Sequence, residues 1–395
     1  MIPYDYQVRY AAHGAVVLRE NMIVYLAMEE RTGKTLTAIL IAEQLNVLRV
    51  LVITKKAALK GWNETLEAFE HSKSYTVTNY HQVSKLNDKY DLIVLDESHN
   101  YLSAYPKHSS MWRSVKNVAK DTPIIYVSAT PHAQGPQQLY GQFAISSWSP
   151  WCKHTNFYRW FQVYGKPYTM EIGGIARPQY DRVHNDLVLD TCNHLFITCT
   201  RTDLGFEHEP VDEVHYVKLG PAATSVYNQL LKHDMVELSV GTLVCDTSSK
   251  LRTSLHQLEG GTIKIGDSRF VLGNEEKIAL ILSLFGDSKS LVIMYNYTAE
   301  LTKLEMQFKK ATLLQATSNA EGVDLSMYDN LVIYSQDFST ARHTQRRARQ
   351  CNKKRDKPIV VHHLLVKKAI SEQVYKTVSL NKKNFVDSVF TRNAI

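Results

Sequence analysis

The 395-residue sequence has no run of about 18 apolar residues, so nothing in it reads as a membrane-spanning helix. Its opening, MIPYDYQVRY, lacks the basic stretch followed by an apolar one that marks an export signal, and a soluble, cytoplasmic protein is expected. No C-x-x-C pair occurs. The five cysteines, Cys152, Cys192, Cys199, Cys245 and Cys351, are scattered and odd in number, a poor disulfide framework that argues for a reducing compartment. Only Cys192, His194 and Cys199, in TCNHLFITC, come close enough to suggest a metal. They lack a second ligand pair, so buried or half-buried thiols are expected instead. No close internal repeat is present.

What the chain does have is bulk: 44% hydrophobic and 22% charged residues over a length too great to be comfortable as one core, so two domains are expected. The net charge of +7 fits a polyanionic partner, although a mild basic excess is also common without one.

Along the chain, β-branched runs alternate with helix-like stretches. RVLVITKKA (49–57), YDLIVLDESH (90–99) and TPIIYVSATP (122–131) read as strands, with TLTAILIAEQL and KGWNETLEAFE as helices between them. The pattern recurs at 290–308, 309–318, 330–338 and 357–366. Such alternation predicts an α/β chain with parallel sheets covered on both faces and function at the carboxyl ends of the strands. Residues 134–185 break the pattern, being rich in Trp, Tyr, Phe, Gly and Pro, and EGGTIKIGDSRFVL (259–272) reads as a hairpin turning at Gly-Asp-Ser. The expected domains are 1–205 and 206–395.

Residues 22–45 run strand, loop, helix around EERTGKT, the order a phosphate-binding loop requires. Gly33 permits close backbone approach, helix-start amides bind phosphate, Lys34 reaches the β/γ-phosphates and the Thr35 hydroxyl holds Mg²⁺. The full G-x-x-x-x-G-K-[ST] pattern fails at its first position, Met28, and Gly-Lys-Thr alone is weak. Support comes from LIVLDESH, an apolar strand ending in Asp96 and Glu97, where one acid can bind Mg²⁺ through water and the other take a proton from the attacking water. A solvated acid pair at a strand end is the plainer alternative.

RTGKT, DESH, SATP (128–131), AEGVDL (320–325) and RHTQRRAR (342–349) together resemble motifs I, II, III, V and VI of superfamily-2 helicases, in family order. The details resemble the Swi/Snf-type branch of double-stranded-DNA translocases in a compact, bacteriophage-like form. YDYQVRYAAHGAVVL is similar to its N-terminal glutamine motif, VLVITKKAALKGWNETLEAF to motif Ia, and VKLGPAATSVYNQLL to the opening of its second domain. The resemblance implies two RecA-like domains in tandem, with a small aromatic-rich helical insertion near 134–185 and a hairpin insertion near 259–272.

It also implies roles. Gln7 would read the adenine edge, with Tyr4 or Tyr6 stacking on the ring or else packing in the core. Thr32, Gly33, Lys34 and Thr35 would hold ATP, with Gly322 and Asp324 contributing from motif V. Thr35 and Asp96 would hold Mg²⁺, and Glu97 the attacking water. Ser128 and Thr130 would couple nucleotide state to domain closure. Arg346 and Arg349, three apart on one helical face, would reach the γ-phosphate from the other domain. Candidate DNA contacts are Thr54, Lys55, Lys56, Asn79, Tyr80, Asn296, Thr317 and Ser318, which would grip phosphate with little sequence preference. Trp62, on an amphipathic helix, is expected in the core. Departures from the family are Arg31 where Gly is usual, which could contact Glu29 or Glu30, and Arg342 and Gln345 within motif VI.

The expected activity is a DNA-dependent ATPase that moves on duplex or branched DNA by alternate gripping. The alternatives are an RNA-directed DExH helicase and a slowly hydrolysing ATP-gated DNA-binding switch. Residues 134–185 and 259–272 are the only candidates for a duplex-splitting wedge.

Overall fold

Short β-branched runs become the strands of two separate parallel sheets. The computed structural model describes residues 1–132, 135–172, 175–316, 323–381 and 389–392, and the chain divides into two units, Met1–Gly205 and Phe206–Ile395. The first unit contains β1 (Ile23–Met28), β2 (Arg49–Thr54), β3 (Ser74–Asn79), β4 (Leu92–Asp96), β5 (Ile124–Val127), β6 (Tyr168–Ile172), β7 (Ile175–Gln179) and β8 (Phe196–Cys199). Six of these form a sheet in the order β3-β2-β4-β5-β1-β8, every neighbouring pair parallel. Side chains of both pleat directions are buried in its inner strands, for example Ile93, Val94 and Leu95 of β4, as a sheet covered on both faces requires. Among the covering helices are α1 (Asp5–Asn21), α2 (Lys34–Glu43) and α3 (Leu59–Ala68). At Gly14, α1 lies so close to α2 that a Cβ would come within 2.6 Å of Ile41 Cδ1.

The aromatic segment is less of an insertion than its composition predicts. Tyr140, Phe143, Trp151, Phe157, Trp160 and Tyr164 pack in one core cluster with Tyr25 and Tyr126 of the central strands. Helices Gln138–Phe143 and Phe157–Tyr164 therefore form a layer of the first unit itself. What stands out is the antiparallel pair β6-β7, with an exposed face that includes Met170 and Ile175. The segment thus holds the expected helices and, besides them, a strand pair that its composition does not announce.

The second unit contains β9 (Pro210–Val217), β10 (Met235–Leu238), β11 (Gly241–Val244), β12 (Thr262–Ile265), β13 (Ser268–Val271), β14 (Leu291–Tyr295), β15 (Thr312–Gln315), β16 (Asn330–Ile333) and β17 (Ile359–Val366). Its five-stranded sheet runs β15-β14-β16-β17-β9, all parallel. The β12-β13 hairpin turns where Gly-Asp-Ser predicts. A second hairpin, β10-β11, was not expected, because its turn residues Ser239 and Val240 carry none of the usual hairpin signals. Among the described residues, no helix is long and apolar enough to cross a membrane.

Candidate nucleotide-binding site

At the carboxyl end of β1 the chain turns through residues 29–33 into α2, whose first residue is Lys34. Arg31 (φ +68°) and Gly33 (φ +80°) both take left-handed backbones. At Gly33 a Cβ would also collide with Gln7 Nε2 at 2.2 Å, so conformation and space both require glycine. Arg31 holds the same kind of backbone with a side chain attached, which costs about 1 kcal/mol.

The loop is held from several sides. Tyr6 donates its hydroxyl to Thr32 O (3.1 Å), Gln7 Nε2 donates to Gly33 O (3.2 Å), and Thr32 Oγ1 donates to Glu29 O (2.8 Å). Lys34 Nζ reaches back to Met28 O (2.9 Å) and Glu29 O (2.7 Å). Burial pushes the lysine pKa down, while Glu30, Glu97 and Asp96 pull the other way. Glycine at the start of α2 offers no side chain to its first-turn amides, a vacancy that a phosphate fits.

Asp96 ends β4, and its Oδ2 accepts from Thr54 Oγ1 (2.6 Å) and from the Trp62 indole (3.0 Å). Burial, with Glu97 next, raises the Asp96 pKa, and the two hydrogen bonds oppose that rise. Glu97 has a left-handed backbone (φ +52°) because its amide still bonds Val127 O while the chain turns off the strand. Non-glycine residues in that region cluster at functional sites. Glu97 Oε2 lies 3.6 Å from His99 Nδ1, and the same nitrogen is 2.8 Å from Ser128 Oγ. Burial holds the His99 pKa down to about 4, so at neutral pH these are contacts of an uncharged ring. Thr130 donates its amide to Ser128 Oγ (3.1 Å), and Gln142 ties Pro131 O to Ser98 and Tyr25.

The structure thus brings Gln7, Thr32, Gly33, Lys34, Thr35, Asp96, Glu97, Ser128 and Thr130 to one end of the first sheet. Gln7 has both amide ends engaged, with Oε1 accepting from Tyr4 N (2.9 Å). Tyr6 is buried, and the exposed Tyr4 ring stacks on it.

Three expected DNA contacts are corrected. Thr54 is fully buried and turned onto Asp96. Tyr80 is buried, donates to Asp96 O (2.9 Å) and stacks on Tyr101. Asn296 donates to Ser335 O (3.0 Å) and to Gln336 O and accepts from Arg346 (2.7 Å), so its amide is occupied inside the second unit. Asn79 caps the following turn through His81 N (3.0 Å), Lys55 is half-buried and Lys56 is exposed.

Within the second unit, Arg346 is buried and ion-paired with Asp337, which also meets Arg342 (3.3 Å). Burial lowers its pKa to about 10. Helix Thr340–Arg347 ends before Arg349, which sits in the tighter turn Ala348–Gln350, so the two arginines do not share one regular helical face. Asp324 is exposed and accepts from Ser326 N (3.0 Å). Gly322, Thr317 and Ser318 lie outside the described residues.

Two contributors were missed from sequence. Trp62 is buried as expected but also orients Asp96, and the signal was available: a buried indole N–H needs an acceptor. Arg201, just after β8, takes the acids of the loop, its amide donating to Glu29 (2.7 Å) and its guanidinium lying 3.5 Å from Glu30.

Residues 55–133 match the ResIII family, described as the type III restriction enzyme res subunit. Residues 55–133 are thus a ResIII-type segment. The match spans Asp96, Glu97, Ser128 and Thr130, and the Gly-Lys-Thr loop lies upstream of it. No curated protein matches the chain. Among solved structures it is similar to a Sulfolobus solfataricus SWI2/SNF2 ATPase core in complex with dsDNA, at 13% identity over 98% of this chain and 93% of that one, with a TM-score of 0.44. The Sulfolobus solfataricus SWI2/SNF2 ATPase core domain gives 11% identity, 100% and 93% coverage and a TM-score of 0.41.

Proposed function

We propose that the chain is an ATP-driven motor that moves on double-stranded or branched DNA. The reading is carried by one observation: the half-buried carboxylate of Asp96, aimed by Thr54 and Trp62, shares the carboxyl end of the first sheet with Lys34 and Glu97. In this reading Lys34 exchanges its two carbonyl partners for phosphate oxygens, and the first-turn amides of α2 complete the cradle. Thr35 and Asp96 would hold Mg²⁺, which would neutralise charge on the phosphates. Glu97 accepts the proton of the attacking water, and His99 relays its position to Ser128 and Thr130.

The finer parts are inferred from the motif resemblance. Arg346 and Arg349 are the candidate phosphate contacts of the second unit, a role that would require Arg346 to loosen its pair with Asp337. Lys55, Lys56 and Asn79 are the remaining candidate grips on DNA phosphate. The exposed β6-β7 hairpin is the candidate wedge, since the rest of the aromatic segment is core.

The test is steady-state ATP hydrolysis with no nucleic acid, single-stranded DNA, duplex DNA, forked DNA and structured RNA, beside Glu97→Gln. Strong stimulation by duplex or forked DNA, absent in the variant, is expected. Stimulation by RNA alone would replace the substrate, and ATP binding without turnover would favour a gated DNA-binding switch. An undiminished rate in Glu97→Gln would remove the proposed base.

A further inference from the structure

On the outer strand pair of the second sheet, β9 runs parallel to β17 with His362 beside Glu213 and Leu364 beside His215. Alternation puts Glu213 and His215 on one face of β9, and the register adds His362 on that same face. Asp212, which pairs with Arg347 and His363, belongs to the opposite face. Donor atoms of the three residues all lie within 4.8 Å of one another.

The spacing between them is informative. His215 Nε2 is 3.0 Å from His362 Nδ1, Glu213 Oε1 is 3.5 Å from His215 Nε2, and Glu213 Oε2 is 3.6 Å from His362 Nδ1. A carboxylate bound to imidazole by a charge-assisted hydrogen bond would sit at about 2.8 Å. Here the acid stands off both rings by nearly the same amount, too far to bond either well. A tetrahedral zinc ion with bonds of about 2 Å holds its ligand atoms about 3.3 Å apart, and the ring-to-ring gap and the gap from each ring to its nearer carboxylate oxygen bracket that value.

We propose that Glu213, His215 and His362 form a binding site for one divalent transition-metal cation of the zinc class. Two imidazoles and one carboxylate suit zinc and its neighbours and disfavour calcium or magnesium, which prefer all-oxygen shells. The site has a closed side and an open one. The His362 and His215 side chains are 8% and 15% exposed, with Phe285 against the His362 ring, whereas Glu213 is 55% exposed. An ion enters past the carboxylate and keeps water as its fourth ligand. Because β9 is an edge strand and the two histidines are 147 positions apart, the ion acts as a clasp that exists only in the folded unit. Its effect is to fasten the first strand of the second unit to its neighbour, independently of the ATPase reading.

The test uses the full, untagged chain, stripped with chelator and titrated with Zn²⁺ by calorimetry and with Co²⁺ by visible absorption, alongside thermal unfolding. One equivalent of Zn²⁺, a tetrahedral Co²⁺ spectrum and a rise in Tm with added Zn²⁺ are expected. His215→Ala should weaken Zn²⁺ binding by ~100-fold or more and remove the Tm rise, and Glu213→Gln should weaken it by ~10-fold. Glu213 is exposed and His215 is half-buried on an edge strand, so each variant should fold, and thermal unfolding without metal checks that. No binding by the native chain, or equal binding and equal Tm rise in His215→Ala, would overturn the proposal.

Discussion

In the first unit Lys34 rests on two neutral carbonyls of its own loop, whereas in the second unit Arg346 is buried against the carboxylate of Asp337 and the amide of Asn296. Both are cations that helicase-type motifs assign to phosphate, yet they are stored differently. A lysine held by carbonyls needs no charged hydrogen-bond partner displaced. An arginine already neutralised must trade one anion for another. The first arrangement leaves a cation without a charged partner to displace, as the proposed phosphate contact would need. The second is a strut that also supports its own domain.

The widest separation of the two should come from truncation. Lys34→Ala is expected to abolish hydrolysis while changing unfolding free energy by less than about 1 kcal/mol, since a loop-end ammonium is lost along with its own desolvation. Arg346→Ala should also stop hydrolysis but destabilise its unit by about 3–5 kcal/mol, because Asp337 is left buried without its main partner. Urea unfolding followed by circular dichroism decides this, and equal stabilities would erase the distinction.

Acid offers a second separation. Burial lowers the pKa of His99 to about 4 in the first unit and of His256 and His343 to about 3 in the second. A histidine whose folded pKa is depressed binds its proton more weakly when folded, so stability is present above the ordinary value near 6.5 and drains away as pH falls towards the folded value. Glu259 works oppositely, its carboxyl raised to about 7 by burial, so it partly offsets the loss in the second unit. All five tryptophans lie at or before residue 160. Their fluorescence therefore reports the first unit, while circular dichroism reports both. From pH 7 to pH 5 both midpoints should fall, and His99→Gln should flatten the tryptophan-detected fall strongly and the fall seen by circular dichroism only in part.

Smaller effects probe how the cradle is aimed. Trp62→Phe keeps the ring in the core and removes one hydrogen bond to Asp96, so kcat should drop by ~10-fold with a raised Mg²⁺ requirement and little loss of stability. A rate unaffected at saturating and limiting Mg²⁺ would reduce Trp62 to packing. Arg31→Gly should be the mildest change: it relieves a left-handed side chain worth about 1 kcal/mol but loosens the unfolded chain, leaving stability nearly unchanged. Loss of ATP binding in that variant would instead show that the guanidinium serves the nucleotide.

The central strands were legible because buried parallel strands must be β-branched and apolar throughout, and the acids of DESH mark where one stops. Side-chain direction beyond a strand end was not legible. Thr54, Tyr80 and Asn296 were read as outward grips because polar groups follow the strands, but each satisfies a buried partner, Asp96 for the first two and the Arg346 network for the third. Nothing in local sequence distinguishes a hydroxyl turned inward by a neighbouring carboxylate from one facing solvent. The β10-β11 hairpin escaped notice for want of turn residues, and Arg201 because its partners lie about 170 positions away.

The sheet order has a consequence for how such a chain could diversify. β5 and β8 flank β1, so the long excursion between them leaves and returns within two strand spacings, about 10 Å. Its first part is locked by aromatic packing and its tip, β6-β7, is free of the core. A tool mounted between two such fixed posts can be exchanged, lengthened or removed without altering the register of any strand beneath it, which makes that tip the natural place to graft a new specificity onto the chain.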